Sequence, residues 1–409
     1  MKPNSFGAGR IVLLLKDGAP PNEPSSWRPI KLLNVDYKTV ATVLNNKLKL
    51  LLPCIISPYQ SCAVPARSMF AHLTDTRDVF EYGAEKKLSG AFVSLDQVKA
   101  FDRVKHRYTL EVLREFGFPG DFVRLVELLY TNLSCNVVVN GSATAGFSYT
   151  RGMRQDCPLG PTFFIMCIEP LLTRLASDER IRGFPLTGED EIKVLAYADD
   201  VCHFVRDAGS FREFRSAFNR YAEVSGAALN EGKSKALLFG AFPKEAIGNI
   251  QTVSTVNVLG IFFPCEGVAE TTWQKAVERV PLVTARSRRL DLTLREKALA
   301  VKTGICAFAN YARRVAVMPA KTLSQLNKMI SSFLWDDKPA PVKRNLQQLP
   351  EGEGGLGLPH VATISRLLAL KTVRFLHQAS DFYGKGLLLY WSSTNTKYLY
   401  ADRQPGPLA

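Results

Sequence analysis

Two adjacent carboxylates between apolar segments are the first feature of this sequence that suggests chemistry. Asp199 and Asp200 follow the apolar run 192–197 and precede the run 201–205. Two strands with so short a connection predict a tight hairpin with both acids at its tip. Neighbouring carboxylates repel each other, and apolar flanks raise their pKa unless a cation neutralises them. A divalent metal is the simplest such partner. The simpler interpretation is a turn in which the two acids supply only turn chemistry.

A third acid, Asp96, ends another apolar strand, which the pattern predicts over residues 91–95. Strand-end carboxylates brought side by side can bind two magnesium ions about 3.5–4 Å apart, an arrangement that serves in-line phosphoryl displacement. Taken alone, Asp96 fits the N-cap of a helix equally well. We expect Asp102 to cap the following turn rather than to take part in the chemistry.

Apolar periodicity indicates which elements must position these acids. Helical spacing predicts helices over residues 34–52, 69–86, 106–116, 120–132, 161–176 and 211–224. Strands are predicted over 10–16, 91–95, 136–140, 142–149, 192–197, 201–205, 236–239 and 256–263, with a hairpin turn near Asn140-Gly141. From Thr271 onward the pattern is almost wholly helical. The order predicts an α+β core up to about residue 265, then a basic helical segment and a C-terminal extension.

The charge of the chain points to an anionic partner. The 409 residues carry a net charge of +14, with 46% apolar and 22% charged residues, the balance of a globular protein of two or three domains. Residues 271–330 alone hold twelve basic and three acidic residues, a net +9. A stretch of this kind is either a solvated face or a track for a nucleic-acid backbone.

Neither the cysteines nor the apolar runs indicate secretion or a membrane. The eight cysteines contain no C-x-x-C pair and no zinc-ligand spacing with histidine, so we expect reduced thiols in an intracellular protein. The apolar runs fall short of the roughly 20 residues that span a bilayer. We therefore expect no membrane partner.

Several further motifs surround the three acids in one order along the chain. They are residues 11–16, Trp27-Arg28-Pro29-Ile30, 32–38, a weaker segment at 60–69 with Pro65-Ala66-Arg67-Ser68, 96–102 with Lys99-Ala100-Phe101-Asp102, 151–159, Tyr197-Ala198-Asp199-Asp200, 226–234, 258–261, Phe333-Leu334-Trp335 and 354–359. Their types and order resemble the reverse transcriptases of non-LTR (LINE-type) retrotransposons nearly from end to end.

The resemblance implies roles for residues of the expected catalytic site. Asp96, Asp199 and Asp200 would hold two Mg²⁺ ions. Phe101 would lie under the incoming sugar, where its ring leaves no room for a 2′-hydroxyl and so selects deoxynucleotides. Gln155 would contact the nucleotide near its sugar and base. A core aromatic is the commoner fate of a phenylalanine.

The resemblance also implies that certain basic side chains bind the substrate. Lys16 and Arg28 would bind the triphosphate, as a point charge and a bidentate fork respectively. Lys233 would stand near the leaving phosphate as a proton donor, although a solvated lysine beside Lys235 explains it equally well. The basic helices of residues 271–330 would hold duplex product by its phosphates.

The fold implied is a right-hand polymerase, an α+β protein with an antiparallel palm sheet and a helical thumb. We expect fingers at 1–90, a palm at 91–265 with finger segments interleaved, a basic helical thumb at 266–330 and a C-terminal connector or tail at 331–409. The implied activity is RNA-directed DNA polymerisation, extending a DNA 3′-end on an RNA template from deoxynucleoside triphosphates. The expected partners are the RNA template, the DNA primer and their duplex, in a nuclear setting.

Some positions depart from the family pattern. Asp156 stands where the family usually has glycine, and its bulk and charge beside a triphosphate would weaken nucleotide binding. Gly160 replaces a usual serine, and Val98 replaces a usual acid. The family's full-length products also carry an endonuclease, which we expect to lie outside this chain, as in a fragment of a longer protein or a truncated open reading frame.

Two other functions fit parts of the pattern. An inactive RNA-binding remnant would bind RNA with a steep salt dependence but incorporate no nucleotide. An RNA-directed RNA polymerase would also place a strand-end acid beside Asp-Asp, and Asp102 could read a 2′-hydroxyl. Phe101 and the Tyr197 to Asp200 sequence argue against that alternative.

Overall fold

The computed structural model describes residues 3–187, 191–378 and 386–391. The chain divides into two compact units. The first unit comprises Met1–Ser68, Ser89–Pro185 and Asp190–Thr252, and the second comprises Met69–Leu88, Leu186–Glu189 and Val253–Ala409. Residues 69–88, expected among the fingers, thus group with the second unit, while the names fingers, palm and thumb remain predictions.

The strands form four sheets. Their bounds are β1 (Ala8–Leu15), β2 (Trp27–Leu33), β3 (Gly90–Leu95), β4 (Ser134–Val139), β5 (Ser142–Ala143), β6 (Phe147–Ser148), β7 (Phe184–Pro185), β8 (Glu191–Ile192), β9 (Val194–Tyr197), β10 (Asp200–Val205), β11 (Lys235–Phe239), β12 (Gln251–Thr252), β13 (Val256–Val258) and β14 (Ile261–Phe263). One larger sheet has the order β2-β1-β4-β5, with β6 also paired to β4. The other has the order β12-β11-β3-β10-β9, and β3 pairs antiparallel with both β10 and β11.

The rest of the regular structure in the described residues is mainly α-helical. Their bounds are α1 (Asn4–Gly7), α2 (Val35–Lys49), α3 (Leu52–Ile55), α4 (Met69–Glu85), α5 (Ala100–Arg103), α6 (His106–Glu115), α7 (Gly120–Tyr130), α8 (Leu159–Ser177), α9 (Ala208–Ser225), α10 (Glu270–Val277), α11 (Val280–Arg288), α12 (Leu294–Ala300), α13 (Asn310–Arg313), α14 (Ala320–Leu334), α15 (Arg344–Gln348) and α16 (Val361–Gln378). The helical pattern expected after Thr271 is confirmed by α10 to α16.

The core of the first unit is built around α8. Phe163, Phe164 and Ile165 on this helix are fully buried, and it packs against α2, α6, α9 and β9. Within the described residues, α8 has the length and hydropathy of a membrane-crossing helix, but 72% of it lies inside the protein. An apolar helix that is mostly buried inside the protein is typical of a core element.

Two hairpin turns show how local sequence sets the strand connections. Asn140 and Gly141 both have positive φ between β4 and β5, as a type I′ turn requires, so the predicted hairpin is confirmed. The single strand region expected at 256–263 is instead a second hairpin, β13–β14. Its turn residues Leu259 and Gly260 also have positive φ, 46° and 86°. Glycine at the second turn position was the local signal for this connection.

Candidate active site

The adjacent acids lie at the tip of the β9–β10 hairpin. Tyr197 pairs with Asp200, so only Ala198 and Asp199 form the turn. Ala198 has a φ of 54° and Asp199 does not have positive φ, which is the sign pattern of a type II′ turn. This short connection projects both carboxylates from the end of two buried strands, as the sequence predicted.

Asp96 reaches the same end of the sheet through β3. Val201 of β10 lies opposite Leu95 of β3 in an antiparallel ladder. One further step along both strands brings Asp96 opposite Asp200, and Cα atoms of such pairs are about 4.5–5.5 Å apart. The strand register therefore brings together three acids that are up to 104 residues apart in the chain.

Burial and neighbouring charges raise the pKa of two of these carboxyl groups, Asp199 and Asp200. Partial burial, followed by repulsion from Asp199 and Asp96, raises the pKa of Asp200 to about 6. Burial and the charge of Asp96 also raise the pKa of Asp199. Asp200 is nevertheless open to solvent, so a cation can reach it. Among the described residues, no three His, Cys, Asp or Glu side chains are arranged as a metal site.

The backbone of Asp96 is fixed by the segment 230–234. Its N–H donates to Ser234 Oγ at 3.1 Å, and its carbonyl oxygen accepts from the Asn230 N–H at 2.8 Å. Ser234 is fully buried, and its hydroxyl donates in turn to the Asn230 carbonyl. Lys233 lies in this same segment, so the expected proton donor is tied to the strand end that carries Asp96.

A loop after β6 contacts the segment that follows Asp96. The Met153 N–H donates to the Phe101 carbonyl at 2.7 Å, and the Gly152 N–H donates to the Val104 carbonyl at 2.7 Å. The ring of Phe101 is stacked on Phe164, with centroids 4.1 Å apart and planes 17° from parallel. Phe101 is only partly buried, unlike Phe164, which is fully buried.

Gln155 and Asp156 on this loop bind the backbone of β2. Gln155 Oε1 accepts from the Lys31 N–H at 3.2 Å. Asp156 Oδ2 accepts from the Leu33 N–H at 3.2 Å and forms an ion pair with Lys38 at 3.0 Å. The φ of Asp156 is 59°, a region that aspartate tolerates better than most residues do. The unbalanced charge that we expected from Asp156 is thus compensated by Lys38.

Lys16 and Arg28 lie on the sheet of β1 and β2. Leu14 is opposite Arg28 in the ladder, so Lys16, two residues after Leu14, lies on the same side of the sheet. Both cations are exposed, and Lys16 Nζ donates to the Ser25 carbonyl at 2.7 Å. Their approach to a triphosphate at the three acids remains a prediction.

The sequence patterns gave no role to Ser234 or Arg154, and the expectation for Asp102 was wrong. Asp102 does not cap the next helix; it lies within α5, and Lys105 occupies the N-cap of α6. Ser234 had no assigned role. Arg154, 1% exposed, donates to the Phe6 carbonyl at 2.6 Å and stacks over Tyr37, which anchors the loop that carries Gln155.

Eight of the twelve cations in the 271–330 stretch fall into two groups in the second unit. Four are in ion pairs: Arg288 with Asp337, Lys297 with Asp336, Lys302 with Glu351 and Lys321 with Glu270. By contrast, Arg279, Arg286, Arg289 and Arg295 are exposed and have no ion pair within the described part of the chain. Their charges are available to an external anion.

A family model for "Reverse transcriptase (RNA-dependent DNA polymerase)" matches residues 15–263, which include all three acids, Phe101, Gln155 and Lys233. The chain belongs to the reverse transcriptase family. It is 31% identical over 392 residues to a transposon TX1 protein of Xenopus laevis, covering 93% of this chain and 28% of that protein. It is 27% identical over 301 residues to a Pol polyprotein of the type-1 retrotransposable element R2 from Popillia japonica, covering 68% of this chain and 42% of that protein.

These relatives identify this reverse transcriptase domain as one of the non-LTR retrotransposon type, and the resemblance drawn from the motifs is confirmed. An RNA-directed DNA polymerase from mobile element jockey of Drosophila melanogaster is 22% identical over 250 residues, covering 58% of this chain and 26% of that protein. Among solved structures, a telomerase of Candida albicans aligns over 99% of this chain and 68% of its own, at 11% identity and a TM-score of 0.49. The chain spans less than half the length of the retrotransposon relatives described above.

Proposed function

We propose that this chain is the polymerase domain of a non-LTR retroelement, extending a DNA 3′-end on an RNA template by two-metal phosphoryl transfer. The observation that carries the proposal is the register that sets Asp96 opposite Asp200, beside Asp199. Three mutually repelling carboxylates at an accessible strand end have no structural reason to be together unless they share positive charge.

The carboxylate oxygens of the three acids are suitable ligands for hard divalent cations. Carboxylate oxygens are the ligands that Mg²⁺ uses beside substrate phosphates. When bound, such ions lower the pKa of the attacking 3′-hydroxyl and balance charge on the leaving pyrophosphate. The chain's own contribution is to hold Asp96 by its backbone, to present Asp199 in a two-residue turn and to present Asp200 at the start of β10.

Other residues of the first unit would orient the nucleotide. The Phe101 ring, supported from behind by Phe164, would wall off the space that a 2′-hydroxyl needs. Gln155 would face the sugar and base from a loop fixed to β2. Lys16 and Arg28 would meet the triphosphate, and Lys233 would deliver a proton to the leaving pyrophosphate.

We infer the nucleic-acid partners from the positive charge of the second unit. The exposed arginines of the second unit would hold the RNA–DNA duplex by its phosphates, as a thumb does. The work of such an element takes place on chromosomal DNA, so we propose a nuclear location. Nicking of the target would fall to an endonuclease domain not contained in these residues.

Primer extension tests the proposal. The full chain, with an RNA template, a DNA primer, deoxynucleotides and magnesium, should extend the primer, and Asp199→Ala should abolish the product. Wild-type protein that binds the RNA but extends nothing would favour the inactive remnant. Extension that persists in Asp199→Ala would remove the assignment of the site.

A further inference from the structure

The turn that carries the acids is held in a conformation that its sequence does not favour. Ala198 has a φ of 54°, in the left-handed region where a Cβ is disfavoured. The first central position of a type II′ turn is normally glycine. Because Ala198 immediately precedes Asp199 and Asp200, any relaxation of this residue would redirect both carboxylates.

A buried glutamine binds this strained residue from both sides. Gln60 is fully buried, and its Oε1 accepts from the Ala198 N–H at 2.9 Å. Its Nε2 donates to the Ala198 carbonyl oxygen at 3.4 Å. Both polar groups of the Ala198 backbone are therefore satisfied by one side chain, 138 residues away in the sequence. The Cys62 N–H also donates to Gln60 Oε1, at 2.9 Å, which fixes the amide orientation.

The backbone around Gln60 is itself anchored. The Ala196 N–H donates to the Tyr59 carbonyl at 2.8 Å, and the Ser61 N–H donates to the Ala196 carbonyl at 2.9 Å, so this segment runs beside β9 like an extra strand. Arg67 donates to the carbonyl oxygens of Gln60 and Ile56, at 2.9 and 2.8 Å. The glutamine thus acts from a rigid base rather than from a free loop.

We propose that Gln60 is a positioning residue that fixes the Ala198 turn and thereby aims Asp199 and Asp200 at the reacting phosphate. The inference rests on the proposed polymerase function and adds to it a residue that touches neither substrate nor metal. Small displacements of catalytic groups reduce turnover strongly, whereas they leave binding by distant surfaces intact.

Gln60→Leu is the test variant, because leucine fills similar space without a donor or acceptor. We expect kcat to fall about 10- to 100-fold, with the KM for nucleotide and the Kd for the RNA–DNA duplex changed little. Hydrogen exchange of the peptide covering residues 197–201, measured without substrate, should become faster. Gln347→Leu, which removes another buried glutamine with a backbone hydrogen bond, is the matched control and should preserve kcat.

A second substitution separates positioning from general stability. Glycine adopts positive φ without strain, so Ala198→Gly in the Gln60→Leu background should restore most of the lost kcat. The proposal is overturned if kcat is unchanged, if the loss merely follows a fall in Tm, or if Ala198→Gly restores nothing. Unchanged hydrogen exchange at 197–201 overturns it independently of activity. Wild-type protein that incorporates no nucleotide, while exchange still responds to Gln60→Leu, would instead count against the polymerase function alone.

Discussion

The acidic site and the basic helices use charge in two different ways. In the first unit, Asp96 and the Ala198 turn are fixed by hydrogen bonds from buried side chains, Ser234 and Gln60. In the second unit, Arg286 and Arg289 are exposed on or beside a single helix. Chemistry at a phosphorus atom needs position to a fraction of an ångström, whereas retention of a polyanion needs only charge nearby.

This difference predicts how each region responds to change. Loss of one of the three carboxylates should abolish turnover, because the other two cannot replace its position. Loss of one cation should cost little, because many phosphate contacts share the binding free energy and salt screens them. Substitutions at Asp96, at Phe101, at three exposed arginines and at Lys38 should have progressively smaller effects.

Asp96→Asn should give the largest loss. We expect primer extension to fall by about 10³-fold or more, since a neutral amide cannot share a metal with Asp199 and Asp200. Thermal stability should be unchanged or slightly raised, because the substitution removes like-charge repulsion. Primer extension and thermal unfolding of the same preparation measure both. A parallel loss of activity and Tm would mean that Asp96 serves the fold instead.

Phe101→Val should alter substrate choice rather than rate. Removal of the ring opens space for a 2′-hydroxyl, and we expect discrimination against ribonucleotides to fall about 10- to 100-fold. Competing incorporation of a ribonucleotide and its deoxy counterpart measures the ratio. Phe118→Val, which disrupts a ring pair with Phe122 elsewhere in the first unit, is the matched control. An unchanged ratio would mean that Phe101 is a core aromatic residue with no part in excluding ribonucleotides.

Combined substitution of Arg279, Arg286 and Arg289 by alanine should weaken duplex binding about tenfold at moderate salt. Each phosphate that the variant no longer neutralises should also reduce the slope of log K against log salt by about 0.7–0.9. Substitution of the ion-paired Arg288 and Lys297 should have a smaller effect, because their charges are already partly compensated. Equal effects from the two sets would show that pairing in the free protein does not decide which cations bind.

Lys38→Ala should give the smallest effect, a rise of a few-fold in the KM for nucleotide. The substitution leaves the Asp156 carboxylate, on the loop that also carries Gln155, without its cation. The expected effect is small because a partly exposed ion pair contributes only about 0.2–1 kcal/mol of stabilisation. Adding Asp156→Gly should restore KM, since it removes the unpaired charge and relieves the positive φ. If the double variant is no better than Lys38→Ala, the pair does not act through charge.

Short-range patterns predicted most of the elements that carry the site. Apolar runs located β3, β9 and β10, and Asn140-Gly141 located a turn, because these signals lie within a few residues. The register that sets Asp96 opposite Asp200 could be expected only from the motif resemblance. Gln60 and Ser234 each bind a backbone group 138 residues away, so no local pattern reveals them.

Asp156 is a second example of a residue whose long-range partner cannot be predicted from the local sequence. Its type and position predicted a harmful charge, and the sequence holds nothing local to connect it with Lys38, 118 residues earlier. Lys38 and Asp156 come together only when α2 folds against the loop that carries Gln155 and Asp156. The effect of a single residue that departs from a family pattern therefore depends on whether another part of the chain supplies a partner for it.

The single-turnover rate of nucleotide incorporation, measured at saturating RNA–DNA duplex, distinguishes residues that act in chemistry from residues that act in binding. Asp96→Asn should have almost no rate under these conditions, while the Arg279, Arg286 and Arg289 triple variant should reach the wild-type rate once saturated. A near-normal rate for Asp96→Asn, or a lost rate for the saturated arginine variant, would contradict the separation of chemistry from binding.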